Sequence, residues 1–148
     1  QHDHEFVAAE PHLDWLQNPN YTAGRMGADF VDRYGYVEIV GPQRMFRSPA
    51  TLVGLLLLGP GVHYPDHSHP AEELYHVVSG TAEWWREGAP WQRVPPGTAI
   101  HHPPDVRHAM RTADEPLLAL YCWRGAVTVA ADLTGAAAPT ARTKRKTD

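Results

Sequence analysis

The chain has 148 residues, 43% hydrophobic and 20% charged, with a formal net charge of −4 and 14 prolines beside 12 glycines. That length suits one domain around one core, and the charge leaves no basic footprint for nucleic acid. The longest apolar run, Leu55–Leu58, is far too short to span a bilayer, and the single Cys122 excludes an intrachain disulfide framework.

Taken in chain order, Gln1-His-Asp-His4 reads as a frayed terminus despite its two histidines. Residues 5–17 are expected to form a short helix broken at Pro11, with Leu13, Trp15 and Leu16 turned inward. Asn18-Pro-Asn marks a turn, and 21–33 reads as irregular cover. Tyr34 to Val40 alternates as a first strand, stopped by Gly41-Pro42. Thr51 to Leu58 is a continuous apolar run and is expected to be a strand buried on both faces. Short strands then follow around Leu74–Val78, 81–86, 91–94, Ile100, 107–112, 117–123 and 127–133. Turn signals such as Ser79-Gly80, Gly88-Ala-Pro90 and Pro95-Pro-Gly97 separate them. So many short strands at this spacing point to an all-β sandwich or barrel. The expected organisation is a cover segment over 1–48, a barrel over 49–133 and a disordered tail over 134–148 that has no aromatic residue.

The chemistry concentrates between Gly61 and Gly80. Residues i and i+2 of a strand share a face, so His67 pairs with His69, and Glu73 with Tyr75. Imidazole and carboxylate are suitable ligands for Fe, Zn, Mn or Ni, and His108 supplies a fourth candidate. Glu72 competes with Glu73 but lacks its place on the face of Tyr75. His63, His76, His101 and His102 read as positions outside the ligand set. Tyr75 has two readings: a core tyrosine bonded to the backbone, or a phenol whose pKa falls beside a bound cation so that it serves as a base. Tyr121 and Trp123 share a face, while Trp84 and Trp85 take opposite ones.

The run Gly61-x5-His67-x-His69-x3-Glu73-x6-Gly80 resembles the first motif of the cupins. Gly97, Pro103 and His108 are similar to the second, in which Asp105 replaces a glycine and Thr112 an asparagine. This resemblance implies a single-domain cupin jelly-roll β-barrel behind a short helical or irregular N-terminal segment. It also implies one divalent metal ion on His67, His69, Glu73 and His108. Tyr64 and Glu73-Leu-Tyr75 look more narrowly like the cupin-type dimethylsulfoniopropionate lyases. That resemblance implies β-elimination to dimethyl sulfide and acrylate, with Tyr75 as base. Tyr64, Trp123, Tyr121 and Trp84 are then the rings available to a sulfonium cation. Other metal-dependent cupin enzymes, a dioxygenase or a sugar isomerase, stay open, as does a non-catalytic cupin that binds a small ligand. The expected partner is a small-molecule substrate, with a homodimer possible and neither nucleic acid nor membrane involved. No signal peptide is visible, and a cytoplasmic location is expected.

Overall fold

The computed structural model describes residues 2–134. Nearly all of the expected disordered tail, residues 135–148, lies outside the described residues. The chain opens with helix α1 (His2–Ala9) and a 3-10 turn over Glu10–His12. The expected helix over 5–17 therefore starts earlier and stops at Pro11, past which Leu13 is already extended. Leu16 instead bridges to Tyr36 through two backbone hydrogen bonds of 2.8 and 3.0 Å. The stretch expected to be irregular holds two single-turn helices, α2 (Ala23–Met26) and α3 (Ala28–Val31), hinged at Gly27. No helix among the described residues is long and apolar enough to cross a membrane.

Eleven strands follow. They are β1 (Tyr34–Gly41), β2 (Phe46–Arg47), β3 (Thr51–Leu58), β4 (His63–Ser68), β5 (Glu72–Ser79), β6 (Ala82–Arg86), β7 (Gln92–Val94), β8 (Ala99–His102), β9 (His108–Thr112), β10 (Leu117–Arg124) and β11 (Asp132–Leu133). They make a six-stranded sheet, β2-β1-β3-β10-β5-β8, and a five-stranded sheet, β11-β4-β9-β6-β7. This is the all-β, two-sheet architecture expected. The run 127–133, expected to be a strand, is mostly turns, and only Asp132 and Leu133 pair, against β4.

Strand β3 corrects a second expectation. Only every other residue is buried, Leu52, Gly54, Leu56 and Leu58, while Val53, Leu55 and Leu57 are half-buried on the outer face. It lies between β1 and β10 in an antiparallel sheet, which covers one face and not both. Between the sheets, Leu58, Val77, Met110 and Leu117 close one end of the core. The other end is polar.

Two glycines hold the framework in register. A Cβ at Gly54 would sit 1.8 Å from the Val37 carbonyl oxygen and 2.6 Å from the Tyr121 hydroxyl, so only glycine lets that ring cross β3. Gly80, which closes the first motif, has φ of 78°, and a Cβ there would lie 1.9 Å from the Pro116 oxygen.

Candidate metal centre and the cavity beside it

The polar end of the barrel gathers four buried histidines around one buried glutamate. His67 and His108 face each other in register across β4 and β9, and His69 follows β4 immediately. Each of these three donates Nδ1–H to a nearby backbone carbonyl: His67 to Pro65 at 2.8 Å, His69 to Ala71 at 2.9 Å, and His108 to Val106 at 3.0 Å. Those bonds commit Nδ1, so Nε2 is the nitrogen each ring presents to the centre, and in a neutral ring it is the one with the lone pair.

Glu73 approaches from the opposite sheet. Its Oε2 lies 3.2 Å from Nε2 of both His69 and His108. One ligand atom from each of His69, Glu73 and His108 falls within 4.8 Å of the others. His67 stands outside that group. Its buried ring stacks on Tyr64 at 3.9 Å and meets His108 edge-on at 4.1 Å. Burial, and then the neighbouring His108, hold its pKa well below the ordinary histidine value.

Glu73 is itself held from both sides along one row of the six-stranded sheet. In the ladders it pairs with Trp123 on β10 and with His102 on β8. Trp123 donates its indole N–H to Oε1 at 2.6 Å, and His102 Nδ1 lies 3.0 Å from Oε2. Burial pushes the Glu73 carboxyl up, but the facing histidines, His102 foremost and then His108 and His69, outweigh it and hold the group well below the usual carboxylate range. His102 corrects the reading that set it outside the site. It is completely buried and stacks on His108 at 3.9 Å, and burial lowers its pKa to about 4.

Tyr75 follows Glu73 by two and so faces inward with it. Its phenol lines a cavity of about 360 Å³ that opens beside Glu73. Burial first, and then the Glu73 carboxylate, raise its pKa well above the ordinary phenol value. Three of the four expected aromatic positions also line this cavity. The Tyr64 hydroxyl donates to that of Tyr21 at 2.9 Å, Tyr121 donates to the Val37 carbonyl at 3.2 Å, and the Trp123 ring stacks on His69 at 4.0 Å. Trp84 does not line it. Its ring packs edge-on against Tyr75 at 5.2 Å and borders a separate cleft beside β7 and β8. Tyr34 and Tyr36 line the cavity unanticipated; their i, i+2 spacing on β1 was the available signal.

The donor set fits a cation. With Nδ1 of His69 and His108 committed, their Nε2 lone pairs and the Glu73 oxygen converge on one another. Such an arrangement needs a positive charge or a shared proton between its members. His108 Nε2 is buried and finds no hydrogen-bond partner among the described residues, as expected of a nitrogen directed at an ion. Imidazole and carboxylate together suit a divalent transition metal.

The two sheets and the polar end between them define a cupin. A cupin-like protein from Thermotoga maritima superposes with a TM-score of 0.60 over 81% of this chain and 87% of its own, at 20% identity. Residues 3–119 match the family model described as dimethylsulfoniopropionate lyase, and the chain belongs to that family. It is 39% identical over 129 residues to dimethylsulfoniopropionate lyase DddQ from Ruegeria pomeroyi, covering 87% of this chain and 63% of that protein. The crystal structure of that lyase superposes with a TM-score of 0.80 over 87% of this chain and 64% of its own. The chain thus spans less than two thirds of the length of the curated relatives it matches.

Proposed function

We propose that this chain is a metal-dependent lyase that cleaves dimethylsulfoniopropionate to dimethyl sulfide and acrylate. His69, Glu73 and His108 hold the ion in this reading, with His67, packed against His108, as the fourth ligand. The observation that carries the proposal is the position of Tyr75, buried in the cavity wall two residues from Glu73 on the same strand. A bound divalent ion would supply positive charge at this point, favouring the phenolate and, as a Lewis acid, stabilising the charge that develops on a substrate carboxylate.

Tyr75 then takes the proton from the carbon next to that carboxylate. The electron pair left behind forms the Cα–Cβ double bond while the Cβ–S bond breaks. Dimethyl sulfide leaves with the sulfur electron pair, acrylate remains, and the tyrosine proton passes to water. Tyr64, Tyr121 and Trp123 offer ring faces to the sulfonium, a small cation coated in methyl groups.

Metal-loaded protein incubated with dimethylsulfoniopropionate should release dimethyl sulfide into the headspace. Tyr75→Phe should keep the metal content and lose the release by at least about a hundredfold, the usual contribution of a general base. A Phe variant as active as the wild type would remove Tyr75 from the mechanism.

A further inference from the structure

We infer that His102 is a positioning residue: its Nδ1–H holds Glu73 Oε2 against the His69 and His108 nitrogens, so that Glu73 meets a metal ion through that one oxygen. The inference rests on the reading of this group as a metal centre and not on the identity of the substrate.

The geometry is specific. Within its own sheet Glu73 receives one N–H donor on each oxygen, from Trp123 on Oε1 at 2.6 Å and from His102 on Oε2 at 3.0 Å, while His69 Nε2 faces Oε2 from the other wall at 3.2 Å. Each carboxylate oxygen has two lone pairs, so Oε2 keeps one directed at the facing nitrogens. With Trp123 alone, the carboxylate can turn about its last torsion, a broad and soft one, and present both oxygens to an ion. With both donors it cannot turn. The row Trp123–Glu73–His102 crosses three adjacent strands in register, so backbone pairing sets the clamp.

His102 is poorly explained as filler. The side chain is completely buried, yet its Nε2 has no hydrogen-bond partner among the described residues. An orphaned buried nitrogen is unfavourable, and a leucine or phenylalanine would avoid it. What only histidine adds at this position is the Nδ1 donor to Glu73. Partners of metal-binding side chains commonly set affinity and coordination in this way.

Cobalt(II) titration of the metal-free protein tests the inference, with His102→Phe and His102→Asn beside the wild type. Phenylalanine keeps the ring stacked on His108 and removes the donor. Asparagine loses the ring but places its amide N–H near the position of Nδ1. His102→Phe should bind cobalt roughly 10–100-fold more weakly. Its visible d–d bands should shift and lose intensity as the carboxylate adds a second oxygen. His102→Asn should recover most of the affinity and the wild-type spectrum. A Phe variant with wild-type affinity and spectrum overturns the inference, as does an Asn variant as impaired as Phe. Where the Phe variant does not fold, His102→Leu serves as the donor-free arm with the same expected outcomes. A wild type that takes up no cobalt overturns the metal centre itself, and the inference with it. Wild-type uptake without release of dimethyl sulfide removes the lyase reading and leaves the clamp standing.

Discussion

His67, His69 and His108, on or beside the five-stranded sheet, each bond to a carbonyl two residues away in the chain. Glu73, in the six-stranded sheet, is fixed by donors 29 and 50 residues away, and Tyr121 by an acceptor 84 residues away. The two walls of the site are therefore built by different means. One takes its hydrogen bonds from local main-chain carbonyls, with the rings of Tyr64, Trp123 and His102 stacked against its histidines. The other depends on strand register, so a slip of one residue would turn Glu73 away from the histidines. The difference separates hydrogen bonds that a side-chain substitution can remove from those it cannot, because the local acceptors are all main-chain oxygens.

The largest expected effect comes from breaking the register that the six-stranded wall needs. Gly54→Ala places a Cβ against the Val37 carbonyl and the Tyr121 hydroxyl, where backbone and ring must both move. Urea denaturation should show a loss above about 3 kcal/mol, beyond the usual range for overpacking. Metal uptake should fall with it. A variant with unchanged stability would mean that β1, β3 and β10 part readily and that the long-range wall is softer than its contacts imply.

Trp123→Phe cuts a single long-range tie. The ring can still stack on His69, but Glu73 Oε1 loses its donor. Hydrogen bonds to charged groups contribute about 1.5–3 kcal/mol, and the loss should fall in that range by chemical denaturation. Thr112→Val makes the smaller cut away from the site. The hydroxyl accepts from the Val62 N–H at 2.9 Å and donates to the Gly59 carbonyl at 2.7 Å, joining the end of β9 to the β3–β4 loop. About 1–2 kcal/mol should go, with cobalt affinity unchanged, since no histidine tie depends on it. A drop in affinity would show that the histidine wall too is held from a distance.

The same contrast explains what the sequence disclosed. The two-residue strand period paired His67 with His69 and Glu73 with Tyr75, and the resemblance to the second cupin motif added His108; strand period and motif positions are both local properties. Neither could place His102, which looks like one of an adjacent pair of histidines until β8 is laid beside β5 and the second falls opposite Glu73. Trp123 was expected as a ring for a cation, and its indole N–H on Glu73 went unseen for the same reason. Trp84 borders a separate cleft beside β7 and β8, and alternation tells which residues share a face, not which neighbours that face meets. Thr112 departs from the motif's asparagine yet still spans two backbone groups through its hydroxyl.

The other departure yields the smallest prediction. Asp105, where the motif has glycine, sits at φ of 62°, the one non-glycine residue with positive φ among the described residues. Its N–H reaches the His69 carbonyl at 2.9 Å, so the turn between β8 and β9 closes over the histidine. Left-handed backbone costs an ordinary residue roughly 1–2 kcal/mol, and aspartate somewhat less because its side chain can bond locally. Glycine removes that strain but loses more freedom on folding, which offsets about half of the gain. Asp105→Gly should therefore raise stability by about 0.5 kcal/mol, read as a small upward shift in the urea midpoint at constant slope. The main-chain bond to His69 survives the change, so cobalt affinity and spectrum should not move. A loss of stability would show that the aspartate carboxylate contributes a bond worth more than the strain. A changed cobalt spectrum would show that this turn, though local, tunes the nitrogen it covers.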